Sequence, residues 1–74
     1  MTMATRQTGT VKWFSVEKGY GFIQRDRGED LFVHESDIRG RGINILHQGQ
    51  IVEFAVETTT KGKKAINVTT PWYT

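Results

Sequence analysis

The sequence predicts an all-β fold: one small barrel of five short strands. Apolar residues recur in short runs with a period near two, as half-buried strands require. Glycine-bearing turns separate these runs, and no segment carries the apolar stripe of an amphipathic helix. The chain has 74 residues, which suffices for one domain and not for two.

The first strand is expected from Thr10 to about Ser15. Its apolar residues Val11, Trp13 and Phe14 do not alternate cleanly, which predicts a bulge or a strand covered on both sides. Gly19 marks the turn into a strand over 20–25. Arg27-Gly28-Glu29 then supplies a hairpin turn before a strand over 30–34. Residues 37–49 hold Gly40, Gly42 and Gly49 without a stable period and read as a long loop, in which Ser36 or Asp37 starts one helical turn.

The strand over 51–57 alternates well, with Val52, Phe54 and Val56 inward and Glu53 and Glu57 outward. Thr58–Lys63 is the next turn. A last strand over 64–70 turns Ile66 and Val68 inward and Asn67 outward, and Pro71 ends it. Residues 1–8 form a polar tail, 9–70 the folded domain, and 71–74 a short second tail containing Trp72 and Tyr73. Five short strands and no amphipathic helix give a barrel of the oligonucleotide-binding type, the OB-fold.

The segments 20–23 and 31–34 carry the functional signal, because both are apolar on two faces. Alternation puts Tyr20 and Phe22 on one face of the first and Gly21 and Ile23 on the other. In the second, Phe32 and His34 share a face opposite Leu31 and Val33. A small barrel has one interior. With Ile23, Leu31 and Val33 inside, Tyr20, Phe22, Phe32 and His34 stand in water as a row of planar groups. Unpaired nucleic-acid bases are the usual ligand of such a platform.

Charge agrees in its distribution more than in its sum. Net charge is +2 and the isoelectric point about 9.2, a balance that many unrelated domains share. Lys12, Lys18, Lys61, Lys63 and Lys64 bracket the aromatic segments, while Asp26, Glu29, Asp30, Glu35 and Asp37 cluster in the middle. Lys63 and Lys64 fit a solvated turn as well as a phosphate contact.

Other classes find little support. Without cysteine neither a disulfide framework nor a Cys-based zinc site is available. His47 is remote from His34, and no acidic set has ligand spacing, so no metal is expected. Gly19-Tyr20-Gly21 lacks the third glycine and the following helix of a phosphate loop. Gly21 instead suits a close approach by a neighbouring strand or base. No nucleophile is paired with a base, so no enzyme activity and no cofactor are expected. Apolar runs are too short for a membrane span and Met1–Thr10 lacks a signal-peptide core, which predicts a cytoplasmic protein.

With these residues in place, the chain resembles a bacterial cold-shock protein over about residues 9–69. The resemblance rests on three segments in order: Gly9-Thr10-Val11-Lys12-Trp13-Phe14, Lys18-Gly19-Tyr20-Gly21-Phe22-Ile23 and Asp30-Leu31-Phe32-Val33-His34. The middle one is similar to the RNP1 pattern, and the third plays the part of RNP2. The resemblance implies a five-stranded antiparallel OB-fold barrel, monomeric, that binds single-stranded RNA and DNA with little sequence preference. It also implies an RNA chaperone able to influence transcription and translation.

Carried over by motif, the base-stacking residues are Trp13, Tyr20, Phe22, Phe32 and His34, with Lys12, Lys18 and Lys61 near the backbone or base edges. Phe14 divides between buried support and ligand contact. Relatives commonly carry an aromatic after Phe-Val-His and another in the long loop, where this chain has Glu35 and Ile43. Those two changes predict weaker binding or a shorter footprint. The competing reading from another class is a protein-interaction barrel that uses the aromatic face as a docking surface. An RNA-recognition motif would need two amphipathic helices, which the sequence lacks.

Overall fold

A computed structural model describes residues 6–39 and 45–70. The strands are β1 (Gln7–Ser15), β2 (Tyr20–Arg25), β3 (Leu31–His34), β4 (Ile51–Thr59) and β5 (Gly62–Thr69). They close into a barrel in the order β1-β2-β3-β5-β4. Four of the five seams are antiparallel; the seam between β3 and β5, at Phe32 opposite Lys64, is parallel. The five-stranded OB-fold barrel expected from the sequence is present, antiparallel at every seam but this one. A closed ring with an odd number of strands cannot alternate direction throughout, so one parallel pair is a geometric necessity.

β1 starts at Gln7, which lies opposite Phe54, with Thr8 opposite Glu53. The expected tail over 1–8 therefore fails at its last two residues, because their polar side chains hide a backbone that pairs with β4. The expected bulge in β1 is present. Val11 faces Ile23 and Trp13 faces Phe22, leaving Lys12 as the extra residue. Without it, Trp13 would share the inward face of Val11. The bulge turns the indole outward onto the face of Phe22.

Among the described residues, ten side chains fill the interior: Val11, Ile23, Leu31, Val33, Ile38, Leu46, Val52, Phe54, Ala65 and Val68. Ile23, Val33, Val52, Phe54, Ala65 and Val68 have no exposed surface. One expected core position needs correction. Ile66 is half-buried and Ala65 takes the interior place. Val56 faces inward as expected, opposite Ala65 and packed against the core, and its neighbour Ala55 is also buried.

The correction has a local cause. Between the pairs Glu53–Thr69 and Ala55–Ile66, β4 has one residue and β5 has two. The surplus residue Asn67 sits at φ 50°, in the left-handed region, where asparagine is among the better tolerated side chains. Strict alternation cannot survive that bulge, so its parity changes between Ala65 and Val68.

After β3 comes a single 3₁₀ turn over Glu35–Asp37, one residue earlier than Ser36. Its cap is His34, whose Nδ1 accepts from the Ser36 N–H at 3.1 Å. Sequence reading looks for Ser, Thr, Asp or Asn at that position. The chain then runs beside β5, where the Arg39 N–H donates to the Val68 carbonyl at 2.7 Å. Gly40, Gly42 and Ile43, like Pro71, Trp72 and Tyr73, lie outside the described residues.

Candidate nucleic-acid interface

β2 and β3 pair Tyr20 with His34 and Phe22 with Phe32. All four side chains project from the outer face, because Ile23, Leu31 and Val33 opposite them are sealed in the core. The bulge adds Trp13 from β1. Trp13 lies 5.8 Å from Tyr20 and 5.4 Å from Phe22 between ring centroids. Tyr20 lies 5.5 Å from Phe32, and Phe22 lies 5.9 Å from Phe32. Three strands thus contribute one continuous aromatic surface.

The rings are tilted or edge-on to one another, at 36° to 75° between planes. Such packing fixes each ring through its neighbour's edge and leaves faces available to a flat ligand. Trp13 is the most open, with 40 % of its surface exposed. Tyr20, Phe22, Phe32 and His34 are half-buried, which suits groups supported by the sheet. The Nδ1 of His34 accepts the Ser36 N–H and lies 2.9 Å from Ser36 Oγ. A neutral imidazole held in this way keeps its proton on Nε2.

Gly21 explains why β1 and β2 approach closely here. A Cβ at that position would stand 2.7 Å from Phe14 Cα and even nearer the Trp13 carbonyl oxygen. The neighbouring strand, not a ligand, therefore requires this glycine. Phe14, opposite Gly21, packs partly against the core, the supporting role among its two readings.

The lysines fall into two groups. Lys18 is exposed in the turn before Tyr20, and Lys61 is exposed in the turn between β4 and β5. Lys61 borders a cleft of about 560 Å³, walled by Phe32 on one side and by Thr59–Lys64 on the other. Lys12 and Lys64 are occupied by carboxylates. Lys12 Nζ lies 2.9 Å from Asp30 Oδ2. Lys64 Nζ lies 3.6 Å from both Asp37 and Glu57. Asp30 escaped the sequence reading of the site, because nothing in its spacing from Lys12 announces that the β1 bulge brings the two together.

The family described as "'Cold-shock' DNA-binding domain" matches residues 7–71. The chain belongs to the cold-shock domain family. Over 62 residues it is 52% identical to cold shock protein CspC of Bacillus subtilis (strain 168), covering 84% of this chain and 94% of that protein. It is 56% identical over 68 residues to glycine-rich protein 2 of Nicotiana sylvestris, covering 89% of this chain but 32% of that longer protein. Among solved structures, the Drosophila Unr CSD456 chain superposes with a TM-score of 0.74 at 23% identity. The match covers 95% of this chain and 29% of that one, and at that identity the likeness concerns the fold alone. Cold-shock domains are nucleic-acid-binding modules, and the aromatic cluster fits that class.

Proposed function

We propose that this cold-shock domain binds single-stranded RNA and DNA by stacking unpaired bases on Trp13, Tyr20, Phe22, Phe32 and His34. The observation that carries this reading is the cluster of four rings, each within 6 Å of a neighbour, on the open face of a sheet. Stacking accepts every base because every base has a π-face, so little sequence preference follows. Lys18 and Lys61 flank the platform and meet phosphates; Lys12 joins them by leaving Asp30. One barrel of this size covers about 4–8 nucleotides.

The same geometry accounts for an RNA-chaperone activity without ATP. A duplex hides base faces within its stack, so the platform captures only bases already unpaired. Capture draws the melting equilibrium toward single strands by mass action. In this reading the protein works as a cytoplasmic monomer, and effects on transcription and translation follow from opening RNA secondary structure.

The test is a fluorescence titration in a Trp72→Phe background, where Trp13 is the sole indole. Oligo-dT and oligo-U should quench it in proportion to occupancy, and a hairpin reporter should open on adding protein alone. Unquenched Trp13 at saturating oligonucleotide would reject the reading and favour a protein-docking face.

A further inference from the structure

At the end of the platform where Tyr20 pairs with His34, the adjoining residues Gly19 and Glu35 meet. Glu35 follows His34 directly, and its backbone N–H donates to the Gly19 carbonyl at 2.8 Å. That bond holds residue 35 against the entry to β2. Its side chain lies over Gly19, where a Cβ would stand 2.9 Å from Glu35 Oε2 and 3.0 Å from Cδ. The carboxylate thus fills the space a side chain at residue 19 would take, beside Lys18 and Tyr20. The ion pairs among the described residues engage Asp30, Asp37, Glu53 and Glu57. No described lysine or arginine comes within ion-pair distance of Glu35.

A base stacked on a ring lies parallel to it, so the base edge extends toward the rim of the platform. A base whose edge reaches past Tyr20 toward Gly19 would meet the Glu35 carboxylate, which while ionised only accepts hydrogen bonds. Cytosine presents its N4 amino group as a donor, and a glutamate accepting from it is an established pairing. Uracil has a carbonyl oxygen at the corresponding position, which sets acceptor against acceptor. Both effects have the same sign.

We propose that Glu35 is a specificity-determining residue that favours cytosine over uracil at the Tyr20–His34 end of the platform. The inference rests on the stacking reading above and adds a base preference to it. It also gives this position a different role from the electrostatic repulsion of phosphate that its charge alone suggests.

The experiment titrates wild type, Glu35→Gln and Glu35→Asp with hexacytidylate and hexauridylate at one salt concentration and neutral pH. Glutamine offers donor and acceptor alike, and its loss of charge helps both oligonucleotides equally. Self-stacking of each oligonucleotide cancels when the ratio Kd(U)/Kd(C) is compared between variants. The ratio should fall about 3–10-fold in Glu35→Gln, while Glu35→Asp keeps the wild-type direction. Binding of both oligonucleotides with an unchanged ratio overturns the role of Glu35 and leaves the stacking reading intact. Failure of wild type to bind either one removes both.

Discussion

Lys12 Nζ lies 2.9 Å from Asp30 Oδ2, joining the bulge of β1 to the residue just before β3. The pair is partly exposed, with 56% and 33% of the two side chains open, so its own stability is worth at most about 1 kcal/mol. In the stacking reading its consequence lies with the ligand, because the Asp30 carboxylate competes with phosphate for Lys12.

Asp30→Asn should therefore strengthen single-strand binding at low salt by about two- to five-fold. With Lys12 free to neutralise one more phosphate, the slope of log K against log salt should steepen by about 0.7. Titrations at two or more salt concentrations measure both. Stronger binding with an unaltered slope would mean that Asp30 acts through general repulsion and that Lys12 stays off the phosphates.

Phe22→Ala and Phe32→Ala should each weaken oligonucleotide binding by about 1–3 kcal/mol and change Tm little, since both rings stand on the outer face. Phe54→Ala is the contrasting variant. Phe54 has no exposed surface, and its loss should cost about 3–5 kcal/mol, enough to unfold most of a domain this small. Thermal melts and titrations of the three proteins separate the two roles. A large fall in Tm with unchanged affinity in the Phe22 variant would place that ring in the core.

Much of this division between platform and core was legible in the chain itself. Ile23, Leu31 and Val33 alternate with Tyr20, Phe22, Phe32 and His34, and period two alone separates the faces. The three bracketing segments also carried the family resemblance. The broken alternation of Val11, Trp13 and Phe14 pointed to a bulge in β1 without identifying its surplus residue, and nothing in the pattern pointed to the bulge in β5. Lys12 as a surplus residue explains why Trp13 faces outward beside Phe22. Asn67 as a surplus residue puts Ala65 inside where Ile66 was expected. Both bulges are products of strand register across the barrel, which depends on residues far away in sequence. The pairing of Lys12 with Asp30 and the placement of Glu35 over Gly19 were hidden for the same reason.

Lys18 offers a cleaner electrostatic test than Lys12, because no described carboxylate forms an ion pair with it. Lys18→Gln should make the salt slope shallower by about 0.7 and leave base preference alone. Its backbone N–H already bonds to Ser15 Oγ at 3.1 Å, so the turn keeps its shape without the ammonium. A slope equal to that of wild type would remove Lys18 from the contact set.

Gly21→Ala should damage fold and binding together. A methyl group there meets the Trp13 carbonyl and Phe14 Cα. Backbone atoms cannot rotate aside, so β1 must move away from β2, costing about 1–3 kcal/mol by overpacking. The displaced strand carries Trp13, so the 5.4 Å spacing between Trp13 and Phe22 changes as well. Gly49→Ala provides the comparison. Its φ of 88° makes alanine strained, but among the described residues no atom beyond its chain neighbours stands within 4 Å of the new Cβ, so the cost of about 1–2 kcal/mol is conformational alone. Both variants should melt earlier than wild type. Measured well below either Tm, only Gly21→Ala should bind oligonucleotide more weakly, and equal affinities would show that β1 accommodates the methyl group without disturbing the indole.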